Sequence, residues 1–89
     1  MHNNSRRATN RKFWLFYNQL PEDIQQIADI AYELLKTNPN HLSLHFKKVN
    51  KYWSVRVGKA YRALGIEVKN GILWFWIGTH DEYDRLISK

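Results

Sequence analysis

The residues predict an α+β domain in which an N-terminal helical hairpin packs on a twisted antiparallel sheet of about four strands, followed by a short C-terminal helix. Three observations lead there. Apolar residues between Phe13 and Leu35 recur with a helical period, and four short runs rich in β-branched and aromatic residues follow between Leu42 and Ile77. Between the last two of those runs stands Asn70-Gly71, a hairpin signal.

In chain order, residues 1–8 have few apolar groups and no periodicity, so they read as a flexible basic arm ahead of a single domain at 9–89. Arg6 and Arg7 in that arm can touch phosphate or nothing. Thr9 or Asn10 can cap a helix in which Phe13, Phe16, Tyr17 and Leu20 fall at i, i+3, i+4 and i+7. Pro21 restarts the chain where a helix tolerates proline, with Glu22 and Asp23 complementing the positive end of the dipole. The stripe Ile24, Ile27, Ala28, Ala31, Leu34, Leu35 defines this second helix, and Asn38 before Pro39 ends it. Strands are expected at 42–49, 52–57, 61–68 and 72–77. Asn70-Gly71 predicts a type I′ turn, because both central positions of that turn need positive φ. In the last run Ile72, Trp74 and Trp76 alternate with Leu73, Phe75 and Ile77, so both faces are apolar and a central place in the sheet is expected. Thr79 can cap a final helix carrying His80, Tyr83, Asp84 and Ile87 on one side.

At 89 residues there is room for one core, and 44% hydrophobic with 15% aromatic residues supplies it. Cysteine is absent, which excludes a disulfide framework and a thiolate metal site and suits a reducing cytoplasm. The opening residues hold no apolar stretch of a signal peptide and nothing later approaches a membrane span, so neither export nor membrane insertion is expected. The net charge is +6, unevenly spread. Arg6, Arg7, Arg11 and Lys12 crowd the start. Lys47, Lys48, Lys51, Arg56, Lys59 and Arg62 follow with no acid among them, whereas residues 21–36 hold four acids and one base. One face should therefore attract polyanions, and interleaved aromatic residues favour nucleic acid over a merely solvated surface.

Arg56 alternates with Tyr52 and Ser54, while Trp53, Val55 and Val57 take the core side of the same strand. Arg62 shares its alternation with Leu64 and Ile66, so strict period-two logic buries it unless a bulge near Gly58 or Gly65 re-aims it. For both arginines, and for Lys47, Lys48, Lys51 and Lys59, an ordinary surface or cross-strand ion pair is the competing reading. His80, Tyr83 and Asp84 have the spacing of an acid/base set in which Asp84 orients His80. RNA cleavage needs a 2′-OH deprotonated, a 5′-oxygen protonated and cations around the phosphate, all of which His, Tyr and Arg can supply without a metal. A histidine merely packed at a helix start has the same spacing. Asp81, Glu82 and Asp84 are acids that a helix dipole favours in any case, so neither a metal nor another cofactor is expected. The four tryptophans can stack on bases, though most belong in so small a core.

The strings HLSLHFKKV, WSVRVGKAYRALGIEV and GILWFWIGTHDEYDRLI, in this order of elements, resemble the RelE/ParE superfamily of type II toxin-antitoxin toxins. The resemblance runs from about Arg11 to the end and is most similar to toxins whose Trp-rich strand ends in Gly-x-His-x-x-Tyr-Asp, here Gly78, His80, Tyr83 and Asp84. It implies a RelE-like microbial RNase fold, a bacterial cytoplasmic setting, and a monomeric toxin held in a hetero-oligomeric complex by a cognate acidic antitoxin. It also implies a metal-independent mRNA endonuclease acting at the ribosome to inhibit translation. Arg62 matches the strand arginine that contacts the scissile phosphate in RelE-type toxins, and Arg56 a basic strand position of similar role. His80 falls near an arginine or histidine of the ribosome-dependent members, and Tyr83 near their C-terminal aromatic residue at a shorter spacing than in RelE. Where RelE carries two alternating lysines, this chain has Ser54 and Arg56. Two other readings stay open: a ParE-like toxin that inhibits DNA gyrase by binding, and a non-catalytic RNA-binding remnant.

Overall fold

The computed structural model describes residues 9–88, so the opening arm with Arg6 and Arg7 lies outside the described residues. Helix α1 (Arg11–Tyr17) starts where Asn10 accepts a hydrogen bond from the Phe13 amide at 3.0 Å. It ends three residues before Leu20, in the turn that delivers Pro21. Helix α2 (Glu22–Thr37) has Pro21 as its N-cap, outside the helix rather than in its first turn, and stops at Asn38. Where a strand was expected from residue 42, Leu42–Leu44 form a single 3-10 turn. His41 Nδ1 accepts from the Ser43 amide at 3.2 Å, and His45 takes a left-handed conformation, φ 44°, that ends the turn. Extended pairing is therefore confined to a short β1 (Lys47–Val49). Strands β2 (Tyr52–Val57), β3 (Tyr61–Val68) and β4 (Gly71–Thr79) follow, and helix α3 (His80–Ile87) closes the chain.

The sheet is an antiparallel meander ordered β1-β2-β3-β4. Two expectations change here. The β3–β4 hairpin forms, but its loop is Lys69-Asn70, and Asn70 is not among the residues with positive φ. Gly71, at φ 148°, already pairs with Val68, so the turn is not type I′. Left-handed turn residues instead sit at Asn50 (φ 57°) and Gly58 (φ 63°). Secondly, β4 lies at the edge of the sheet rather than in its centre. Its two apolar faces are explained by cover on both sides, and its free edge is bridged by the Asn10 amide, which donates to the Trp74 carbonyl at 3.0 Å.

The main core lies between the hairpin and one face of the sheet: Ala28 from α2 with Val55, Val57, Ala63, Trp74 and Ile77, plus Leu44 from the 3-10 turn. The other face has a smaller core of Leu64, Trp76 and Tyr83, with Tyr52, Phe75 and Ile87 against it. A register shift at Leu64/Gly65 makes this possible, because Leu64 pairs with Trp76 while Gly65 pairs with Trp74, leaving Phe75 as the extra residue of a bulge. Strict alternation would put Trp74 and Trp76 on one face. The bulge sends Trp74 to the hairpin and Trp76 toward α3. Gly65 is required for it: an added Cβ would lie 2.5 Å from Ile72 Cγ2 and 2.9 Å from Trp74 Cε3.

Candidate nucleic-acid interface

The two-core arrangement settles where the arginines go. Leu64 belongs to the α3 face, so Arg62, two residues earlier, is on that face too and escapes the hairpin core without being re-aimed by the bulge. Arg56 is its direct cross-strand partner in the β2–β3 register. Like charges placed directly opposite destabilise a sheet, so the pair is a cost that folding alone does not explain. Arg56 Nε donates to the Gly58 carbonyl at 3.0 Å and Arg62 Nη1 to the Tyr61 carbonyl at 2.8 Å. Burial, and next the neighbouring Arg56 charge, press the Arg62 guanidinium below its ordinary range, while Tyr83 and Asp84 act in the opposite direction. Arg56, Arg62, Tyr83 and Asp84 thus share one electrostatic neighbourhood.

Helix α3 brings the remaining groups to it. Thr79 and Glu82 form a complete capping box, with the Glu82 amide donating to Thr79 Oγ1 at 3.2 Å and the Thr79 amide to Glu82 Oε1 at 3.0 Å. The His80 amide donates to the Ala60 carbonyl at 2.8 Å, which ties the helix start to the end of the β2–β3 turn, two residues from Arg62. At the other end Asn50 Nδ2 donates to the Ile87 carbonyl at 2.9 Å. His80 Nδ1 and Asp84 Oδ2 are 3.1 Å apart, as their spacing predicts. With Nδ1 held, Nε2 is the free ring nitrogen. Tyr83 is only 6% exposed, its ring packed with Leu64 and Trp76 and 5.9 Å, centroid to centroid, from His80. Its ring belongs to the core, and only its hydroxyl end can serve a substrate.

The four lysines do not act as one group. Lys47 pairs with Ser54 and so shares the face of Arg56. Lys48 pairs with Trp53 on the opposite face, where its Nζ lies 4.0 Å from Glu67. Lys51 stands over the Tyr52 ring at 5.6 Å, and Lys59 is exposed in the β2–β3 turn. One neighbour was not foreseen. His45 Nε2 lies 3.5 Å from Arg56 Nη1, and nothing in the string HLSLHF distinguishes His45 from a strand residue. Among the described residues, His80, Asp81 and Asp84 bring ligand atoms within 4.8 Å of one another. Asp81 is an acid in the first helical turn, which the dipole favours in any case, and Asp84, one turn on, is already engaged with Nδ1.

A mixed Arg, His and Lys face on an antiparallel sheet, its arginines half-buried, backed by a helical hairpin, defines a small α+β domain with one basic face. The chain matches the family model of the ParE-like toxin domain over residues 22–85 and belongs to that family, within the RelE/ParE superfamily of toxins from toxin-antitoxin systems. Among solved structures it is similar to a chain of the RelB-RelE antitoxin-toxin complex from Methanococcus jannaschii. The TM-score is 0.68 at 19% identity, covering 88% of this chain and 96% of that one, a likeness of fold. A comparison with curated proteins finds no match. No helix among the described residues is long and apolar enough to cross a membrane.

Proposed function

We propose that this toxin is a metal-independent endoribonuclease that cuts mRNA at the ribosome. The observation that carries the reading is the His80–Asp84 pair, 3.1 Å apart, set beside two directly opposed arginines. Arg56 and Arg62 hold the scissile phosphate and stabilise the charge it gains as the 2′-oxygen attacks. His80, held through Nδ1, offers Nε2 for proton transfer, and the Tyr83 hydroxyl shares in it. Lys47, Lys51 and Lys59 steer the RNA backbone, and Lys48 adds to that field from the far face.

The partner that restrains it is an acidic antitoxin. A groove beside Arg56, lined by Ile27, Ile30, Leu34 and Leu44, combines apolar surface with a guanidinium and suits an amphipathic segment bearing carboxylates. The similar archaeal chain was solved in an antitoxin-toxin complex.

One observation favours a second reading: the matching family model is that of a ParE-like toxin domain, and resemblance to ParE implies gyrase inhibition by binding. The test is induction in a bacterial host without antitoxin, mapping new mRNA 5′ ends for wild type, His80→Ala and Arg62→Ala. Cuts within translated frames that vanish in both variants support the nuclease. Arrest without cuts, with gyrase-DNA breaks accumulating, replaces it with the second reading, and no arrest leaves a non-catalytic binder.

A further inference from the structure

We propose that His45 is a further proton-transfer group of this site, the general base that takes the 2′-OH proton while His80 protonates the leaving 5′-oxygen. The inference rests on the endoribonuclease reading above and adds a residue to it. Its ground is the order of groups across the sheet. His45 Nε2 stands 3.5 Å from Arg56 Nη1, Arg56 faces Arg62 across the β2–β3 register, and Arg62 faces Gly78, directly before the Thr79–His80 start of α3. Two histidines therefore stand at the two ends of a row that runs through Arg56 and Arg62, one following the 3-10 turn and one opening the last helix.

Displacement at phosphorus places the attacking and leaving oxygens roughly in line on opposite sides of the phosphoryl group. A phosphate held by the two arginines thus needs its base and its acid on opposite flanks, and a single histidine cannot occupy both at once. His45 meets the first requirement. An arginine only donates, so a hydrogen bond across this 3.5 Å contact requires Nε2 of His45 to be the acceptor, with its lone pair toward Arg56. When a phosphate takes over Arg56, that long contact gives way and the lone pair is free for the 2′-OH.

The backbone points the same way. His45 is one of two non-glycine residues with positive φ among the described residues, at φ 44°, and histidine adopts that region more readily than most side chains. Strained conformations concentrate where a side chain has to be aimed. Here the strain turns the chain out of its 3-10 turn and sets the imidazole over the edge of β2 beside Arg56.

The step balances as follows. The 2′-OH proton passes to His45 Nε2 and the 2′-oxygen bonds to phosphorus. The P–O5′ bond breaks with its electron pair on O5′, which takes the proton from Nε2 of His80 in its imidazolium form. The products are a 2′,3′-cyclic phosphate and a 5′-hydroxyl.

Base and acid are separable by leaving group, because a 5′-thio substitution makes the departing atom independent of a proton donor. The purified protein is assayed under single turnover on ribosome-bound mRNA, with either 5′-oxygen or 5′-sulfur at the mapped cleavage position. His45→Asn keeps a side chain that accepts positive φ while removing the base. The expected result is a cleavage rate lower by about 10²-fold or more for both His45→Asn and His80→Ala on the oxygen substrate. Sulfur should restore most of the His80→Ala rate and little of the His45→Asn rate. A folded His45→Asn protein, checked by circular dichroism, that cleaves like wild type would overturn the proposal, as would rescue by sulfur equal to that of His80→Ala. No cleavage by the wild type on either substrate would instead sink the nuclease reading beneath it.

Discussion

Gly65→Ala is the substitution that tests the two-faced sheet most directly. At this position φ is not positive, so alanine meets no backbone penalty, and the smaller conformational freedom of its unfolded chain would by itself stabilise by about 0.4–1 kcal/mol. Against that stands the packing. The new Cβ would lie 2.5 Å from Ile72 Cγ2, 2.9 Å from Trp74 Cε3 and 3.1 Å from Trp74 Cδ2, all inside ordinary contact distance. Trp74 has little room to yield: it is 4% exposed, its ring lies 6.4 Å from that of Phe46, and its carbonyl is held by the Asn10 amide. Overpacking of this kind costs about 1–3 kcal/mol, so sterics win and a net loss of roughly 1–2 kcal/mol is expected. For a domain of this size each kcal/mol moves Tm by about 4–8 °C. Thermal unfolding followed by far-UV circular dichroism should therefore show Tm lower by roughly 5–15 °C, again from that relation. An unchanged or raised Tm would mean that Trp74 does not lie across Gly65, and the bulge that places Trp76 under α3 would lose its support.

Thr79→Ala removes the cap of α3 and should cost about 1 kcal/mol while lowering cleavage, because the first helical residue is His80; a Tm drop with unaltered cleavage would separate the cap from the site. Asn50→Gly keeps a residue that tolerates positive φ but deletes the bond to the Ile87 carbonyl, so it should cost about 1 kcal/mol and leave cleavage nearly intact. Arg56→Ala relieves a like-charge pair, so Tm should hold or rise while affinity for short single-stranded RNA falls and the slope of log K against log salt shrinks by about 0.7. Burial first, then the hydrogen bond to Asp29 and its charge, push the Tyr17 phenol up from 10.0 to about 12. The folded state therefore keeps its proton longer than the unfolded one, so this contribution is whole below pH 10.0 and fades as pH rises through about 12. Tyr17→Phe should flatten that part of the Tm profile, and an identical alkaline decline in both proteins would contradict it.

Periodicity carried most of the fold because α2 buries one stripe and β2 and β3 alternate between two faces. The stripe of α2, the β2 and β3 boundaries and the Thr79 cap all follow from residue spacing. Three features did not follow. The string HLSLHF alternates like a strand, yet local bonds from His41 and a left-handed His45 fold it into a 3-10 turn, and side-chain capping of that kind leaves no periodic trace. Asn70-Gly71 offered a type I′ turn, but the register set by packing placed Gly71 in the ladder. The last strand is apolar on both sides, a pattern shared by a central strand and by an edge strand covered from both faces; only the contacts of α3 distinguish them. Of the site, His80–Asp84 was legible because four residues is one helical turn, whereas His45 beside Arg56 depends on a tertiary contact.

The second core also explains why the basic groups end up usable. Helix α3 has eight residues, about 12 Å of rise, against a β2 strand of six residues, about 17 Å from end to end. It is anchored to the Ala60 carbonyl at its start and to Asn50 at its finish, so it runs along the sheet between the two turns that bound β2. Tyr83 and Ile87 face Leu64, Trp76 and Tyr52, and cover the apolar part of that face. The helix start, with His80 and its positive dipole end, is left at the end of the sheet where Arg56 and Arg62 oppose each other. From that end the helix runs away toward Asn50, so it covers the apolar part of the face and leaves the arginines uncovered. The chain thereby keeps a like-charge pair beside an imidazole, an arrangement that costs stability in the free protein and that a polyanion settling on it would relieve.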